Sequence, residues 1–479
     1  MNRQGQRYRQ HASTLALSAF LGLAALLSAC SSSSDSPADN ADASSAAEAE
    51  TDIAAPEDTD TAAPGETDTE DADQSNSLPD DLTIPPPSTE PSVEFADLSI
   101  AADLPGLIAY RADNGDLVTS RPDGTAQTVW ASGDEFTSSQ PTWSSSGEQL
   151  AWTAIGTDEA FLATVATSSA DPSTINFSSV ASPLFYLSWS PGDSWIAGLG
   201  NGPGGIEFSL FDTAGGGQQI VGPGQPFFTD WSSDATLVAA IGGQALVDIT
   251  AADQAAVARN LSAPLGAFSA PIAISESEAI VALRDNANNE VVRLDGSSGS
   301  VLANADGPVA MSLNPQATHV AVLVIGRPDD SVETISFAQP AAPSLPSGVV
   351  SIIDLETGEV VSRPERDILA MRWSPDGAHL ALLQSSSAGL TWLFADPTTT
   401  STTTNRSVPF LPSREFANAY LPFADQYDRS TTEWSPDSTA FVFSGTIDGT
   451  EGVFVDVIDD ELGPAQLGNG DIAFWSPAQ

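Results

Sequence analysis

From residue 143 onwards a tryptophan-serine pair keeps returning: Trp143-Ser144, Trp189-Ser190, Trp231-Ser232, Trp373-Ser374, Trp434-Ser435 and Trp475-Ser476. Degenerate copies stand at Ile274-Ser275 and Leu313-Asn314, and successive intervals are 46, 42, 43, 39, 60, 61 and 41 residues. Each interval holds short apolar runs broken by Gly, Pro and Asp, with little helical periodicity. A unit that short cannot bury its own apolar face and must stack on its neighbours. A period of about forty residues with four short strands per unit is the pattern of an all-β chain folded as a β-propeller rather than a sandwich.

The ends of the repeat region indicate how the ring closes. The chain finishes with Ala473-Phe474-Trp475-Ser476, one inner strand with nothing after it, while the repeat region opens with Leu107 to Tyr110, an Asn114-Gly115 turn and Asp116 to Ser120, later strands with no inner strand before them. The two partial units complete one another, which removes exposed sheet edges. This gives eight blades, or seven if one degenerate unit merges with its neighbour. The recurring tryptophans could suggest carbohydrate stacking, but recurrence at one repeat position assigns them to packing between blades.

The fullest copy runs from Met371 to Leu383, with Trp373-Ser374-Pro375-Asp376-Gly377 at its centre. Pro375 presets φ, and Asp376 and Gly377 supply the remaining chemistry of a tight turn between two strands. Trp189-Ser190-Pro191-Gly192-Asp193 and Trp434-Ser435-Pro436-Asp437-Ser438 are variants of it. These units resemble the WD-repeat-like propeller repeats of TolB and of the non-catalytic propellers attached to prolyl oligopeptidase-type enzymes, over residues 104–479. The resemblance implies a non-catalytic scaffold that presents one face to another envelope protein.

The N-terminus points to the same compartment. Arg3, Arg7 and Arg9 precede an apolar run from Ser13 to Leu27, a secretory signal too short for a comfortable membrane span. It ends in Leu27-Ser28-Ala29-Cys30, which resembles the bacterial lipobox; residues 1–29 are then the signal and Cys30, the only cysteine, carries the lipid. Ser31, by resemblance to enteric lipoproteins, implies the outer membrane. Residues 30–103 read as a disordered tether: residues 31–100 hold 19 Asp and Glu, no Arg, and too little apolar surface to offset the entropy of ordering.

Overall, 15 basic residues, every one of them Arg, stand against 64 acidic ones for a net charge of −49. No basic footprint exists for nucleic acid. Such a surface suits high ionic strength, and a saline habitat is the expectation. Catalytic signals are sparse. Beyond His11 in the signal only His319 and His379 occur, both six residues after a repeat marker. Too few His and Cys are present for a zinc site, no nucleophile elbow, P-loop or EF-hand spacing appears, and no lysine can form a Schiff base. Neither metal, cofactor nor catalytic residue is assigned, although a pair of carboxylates somewhere in the ring stays open.

The two long intervals locate extra loops at about Arg327 to Gly348 and Leu411 to Thr432, both expected on one face of the propeller. The second carries Arg414, Phe416, Tyr420, Phe423, Tyr427 and Arg429, residue types enriched in interface hot spots. These six are the candidate partner-binding residues, the alternative being a loop that folds back to cover its own blade; removing residues 411–430 is expected to spare folding yet abolish partner capture. Two other functions compete with the scaffold: a small ligand or cation in the central channel, with Asp230 and Glu433 as candidates, and a lyase or hydrolase carried by the propeller.

Overall fold

The computed structural model describes residues 93–225, 227–266, 269–285, 288–296, 298–326, 342–458 and 462–477. Cys30, the signal and most of the tether lie outside the described residues, as does the greater part of the first long loop. Among the described residues the chain forms eight sheets, one per blade of an eight-bladed β-propeller.

Blade 1 joins the two ends of the repeat region. Its innermost strand is Gly470–Trp475, followed outwards by Ile108–Ala112, Leu117–Ser120 and Thr128–Ala131. Trp475 faces Ile108 and Phe474 faces Ala109 in antiparallel register. Blades 2, 3 and 4 are regular four-stranded units over residues 137–180, 184–224 and 227–258.

The tryptophans link successive blades. The indole N–H of Trp143 donates to Phe474 O at 3.1 Å, Trp189 to Thr142 O at 3.1 Å, Trp231 to Ser188 O at 3.3 Å, Trp373 to Ser312 O at 3.1 Å and Trp434 to Arg372 O at 3.1 Å. Each acceptor is the residue just before the marker of the previous blade. Where Ile274 replaces the indole, the Ala273 N–H donates instead to the Asp230 carboxylate at 2.7 Å. In the fullest copy the serine after the tryptophan closes the turn: Ser374 Oγ accepts from the His379 N–H at 2.9 Å and donates to Asp376 at 2.6 Å, while Gly377 sits at φ +71°.

Three places depart from the regular unit. Blade 5 gains a fifth strand, Ser344–Leu345, parallel to the end of Ser298–Ala305, so the described part of the first long loop covers a neighbouring sheet edge. Blade 7 has three strands, and its outer position is held by isolated bridges from Phe410 to Leu390 and Arg406 to Leu393. The Thr-rich run before those bridges is fastened by Arg363, which donates to Asp396 O at 2.8 Å and Ser401 O at 2.9 Å and pairs with buried Glu365 at 3.0 Å. In blade 8 the innermost strand is split. Leu411 and Pro412 face Thr446 and Gly445, whereas Trp434 faces Phe441, so residues 413–433 leave the strand line and come back to it.

Residues 93–103, expected to belong to the tether, pack on the propeller. Phe95 stacks on Phe454 at 5.6 Å, Ala96 bridges to Ala465 on the outer strand of blade 8, and Ala101 and Leu104 are buried beside blade 1. Phe95, Ile100 and Leu104 provide the apolar area that packs this stretch on the propeller.

Candidate functional site

The segment that leaves blade 8 enters the centre of the ring. Ser413 starts it, its hydroxyl accepting from the Phe416 N–H at 3.1 Å, as a helix N-cap does. Short turns follow at Phe416–Tyr420 and Leu421–Phe423, the latter with Pro422 in its first turn, and then a single helical turn at Ala424–Tyr427.

The segment's side chains bond to inner strands around the ring. On blade 1, Glu415 pairs with Arg111 at 3.1 Å, Arg111 also pairs with Asp471 at 2.6 Å, and Tyr420 packs on Phe474 with centroids 5.3 Å apart. On blade 3, Tyr427 donates from its hydroxyl to Phe185 O at 2.7 Å, and Gln426 donates to the Tyr186 hydroxyl at 2.6 Å. On blade 4, Gln426 accepts from the Thr229 N–H at 2.9 Å and donates to Thr229 O at 2.8 Å, completing both backbone groups of one residue. Ahead of blade 5, the Ala270 N–H donates to Asp425 at 3.2 Å. On blade 6, Ser312 donates to Asp428 at 2.6 Å and Arg429 donates to Met311 O at 3.1 Å. On blade 7, Arg372 donates to Ala424 O at 2.8 Å and to Glu433 at 3.1 Å.

The electrostatics are those of a buried, mixed cluster. Burial pushes the Asp230 carboxyl up to about 6, against the opposing pull of Arg429 at 3.6 Å. Burial likewise raises Asp425, opposed by the Ala270 N–H, and Glu433, opposed by Arg372. Burial works against the charge on Arg372, but Glu433 and Asp428 outweigh it and raise that group. The Tyr186 hydroxyl is pushed up to about 12 by burial, and burial also raises Tyr420 and Tyr427. Charges withdrawn from water this way are costly unless paired, so the cluster makes the segment's position specific and a broken pair expensive.

This placement corrects the reading of the second loop. Tyr420 and Tyr427 are buried, at 2% and 4% exposure, and the Arg429 side chain is held among Asp230, Asp428 and Met311 O, so these three do not face a partner. Phe416 is partly buried, while Arg414 is exposed and Phe423 is 47% exposed. The same contacts tie residues 413–430 to the ring and argue against the expectation that residues 411–430 are dispensable for folding. Asp230 and Glu433, read as channel ligands for a cation, are turned to Arg429 and Arg372 instead. His319 lies beside Thr318 and Asp354, and His379 stacks on Trp434, so the two are not brought together. Among the described residues no group of three or more His, Cys, Asp or Glu is placed to hold a metal ion.

Gln426, Asp425, Asp428, Tyr186 and Arg372 were missed from the sequence. One signal was present: Asp230, Arg372 and Glu433 each precede a repeat marker, a slot held by uncharged residues in the other blades. Opposite charges at one inner-strand slot imply something between them.

No family model matches the chain, nor does any curated protein. Solved structures do. Dihydro-heme d1 dehydrogenase NirN in complex with DHE aligns with a TM-score of 0.54 at 14% identity, over 81% of this chain and 78% of that one. TolB from Acinetobacter baumannii aligns with a TM-score of 0.35 at 12% identity, over 80% of this chain and 67% of that one. An oligogalacturonate lyase in complex with manganese aligns with a TM-score of 0.36 at 14% identity, over 56% of this chain and 72% of that one. At 14% identity, what the chain shares with the dehydrogenase is the fold, which hosts many activities. The chain is an eight-bladed β-propeller.

Proposed function

We propose that the chain is an exported, lipid-anchored protein of the cell envelope, in the outer membrane, whose propeller acts as a non-catalytic scaffold for another envelope protein. The observation that carries the reading is the segment 413–433: its side chains bond across the ring's centre, so recognition falls to the outer surface rather than to the channel. The signal, the Cys30 motif and the acidic stretch after it support export and tethering. The segment carries Phe423 at 47% exposure and exposed Arg414, and Phe185, whose carbonyl accepts from Tyr427 of the segment, is 36% exposed; aromatic residues and arginine are the types that anchor interfaces.

The test is capture of the tagged full-length protein from cross-linked envelopes, alongside a Phe423→Asp, Arg414→Glu variant. The scaffold reading expects one envelope complex to be recovered with the unmodified protein and lost with the variant, at unchanged circular dichroism. Recovery of nothing by the unmodified protein contradicts the scaffold reading; equal recovery by both contradicts this face. Retention of unmutated protein in the soluble fraction, with Cys30 unmodified by mass spectrometry, contradicts the lipid anchor.

A further inference from the structure

A small cavity lies where the closing segment meets blades 7, 8 and 1. It has a volume of about 10 Å3 and is lined in part by Trp392, Phe416, Glu433, Phe443 and Ser444. Two polar atoms of its lining residues, both from side chains that are almost wholly buried, have no hydrogen-bond partner among the described residues: Trp392 Nε1 and Glu433 Oε1. The other oxygen of Glu433 is taken by Arg372 at 3.1 Å. Leaving either atom unpaired forfeits its hydration without return, so native interiors rarely do so.

The two atoms have opposite hydrogen-bonding sense. An indole N–H only donates, and an ionised carboxylate only accepts. A cation in the cavity would face the N–H, and an anion would face the carboxylate, whereas a neutral molecule that both accepts and donates satisfies both. The volume corresponds to about one water molecule. A third partner lines the same space: Ser444 donates its proton to Asp471 O at 2.9 Å, which leaves its oxygen free to accept.

We propose that this cavity is a binding site for one buried water molecule, which accepts from Trp392 Nε1 and donates to Glu433 Oε1 and Ser444 Oγ. Three bonds is about what a buried water makes. The water completes the coordination of Glu433 at the point where the closing segment rejoins blade 8, so it is a structural part of the closure and positions Glu433 against Arg372.

Oxygen-17 relaxation dispersion on the full-length protein counts long-lived internal waters. The Ser444→Val and Glu433→Leu variants should each lose one relative to the unmutated protein, and an unchanged count in both overturns the proposal. A crystal structure of the unmutated chain decides independently of whether those variants fold. One solvent peak within hydrogen-bond distance of the three named atoms is expected; an empty cavity, or a peak that rubidium replaces on soaking, overturns it.

Discussion

Arg372 on blade 7 and Glu433 on blade 8 meet at 3.1 Å with side-chain exposures of 4% and 3%, at the place where the channel-closing segment returns to its sheet. The same guanidinium holds Ala424 O within the segment and lies 3.7 Å from Asp428. One cation thus ties the beginning of the helical turn, its end and the returning strand to the ring.

Removing either member of this pair leaves a buried charge without its partner. Arg372→Ala and Glu433→Ala should each cost about 3–5 kcal/mol, and an Arg372→Met, Glu433→Leu double variant should recover most of that loss. Urea unfolding of the three proteins measures it; single variants within 1 kcal/mol of the parent would show that the pair does not hold the segment.

Gln426 bonds to blade 3 and blade 4 together. Gln426→Leu keeps the size, strands the Thr229 N–H and Thr229 O, and removes the donor to the Tyr186 hydroxyl, for an expected loss of about 2–4 kcal/mol. The exposed neighbour Asn418→Leu should change stability by less than about 0.5 kcal/mol.

The pH dependence has a definite sign. Asp230 titrates near 6 when folded against 3.8 ordinarily, so the folded state takes up a proton first as pH falls. Its contribution to stability is complete below 3.8 and is lost as pH rises through about 6, and burial raises Asp425 and Glu433 in the same direction. The shift at Asp230 is equivalent to about 3 kcal/mol. Asp376 runs the other way: burial tends to raise it, but bonds from Ser374 and the Ala378 N–H outweigh that and lower it, so its contribution is lost on acidification. Thermal unfolding between pH 4 and pH 7 should therefore show Tm falling towards neutrality, with Asp230→Asn flattening the slope. An unchanged slope in that variant contradicts the assignment.

The indole ring of bonds predicts position-dependent costs. Trp189→Phe removes the donor to Thr142 O and should cost about 1–2 kcal/mol, whereas Leu313→Met, at a marker with no such bond, should cost less than about 1.5 kcal/mol. Equal losses in calorimetry would mean that the indole N–H contributes nothing beyond volume.

The surplus of carboxylate predicts a response to salt. With a net charge of −49, raising the ionic strength from 0.1 to 1 M shortens the screening length from about 10 to 3 Å and should raise Tm. A Tm that falls monotonically over that range contradicts the expectation of a saline habitat.

Blade number and ring closure were legible in the sequence because both follow from spacing: the markers recur, and the strand at Ala473 to Trp475 has no partner except the one beginning at Ile108. The destination of residues 413–433 was not legible. Tyr420, Tyr427 and Arg429 are the residues of a hot spot, and the same types suit a segment that buries itself in its own ring, because both settings remove aromatic and guanidinium surface from water. The split inner strand of blade 8 was hidden for another reason: its outer half is only Leu411 and Pro412, too short for any alternation to show.

The closed channel is tested most directly by hydrogen exchange of the full-length protein, followed on peptides covering residues 413–433. The structure predicts that the Gln426 to Arg429 amides exchange slowly, on the timescale of the Leu380–Ser386 strand of blade 7. Exchange as fast as the exposed turn at Asp448 and Gly449 would contradict it, and would reopen the channel as a place for a ligand.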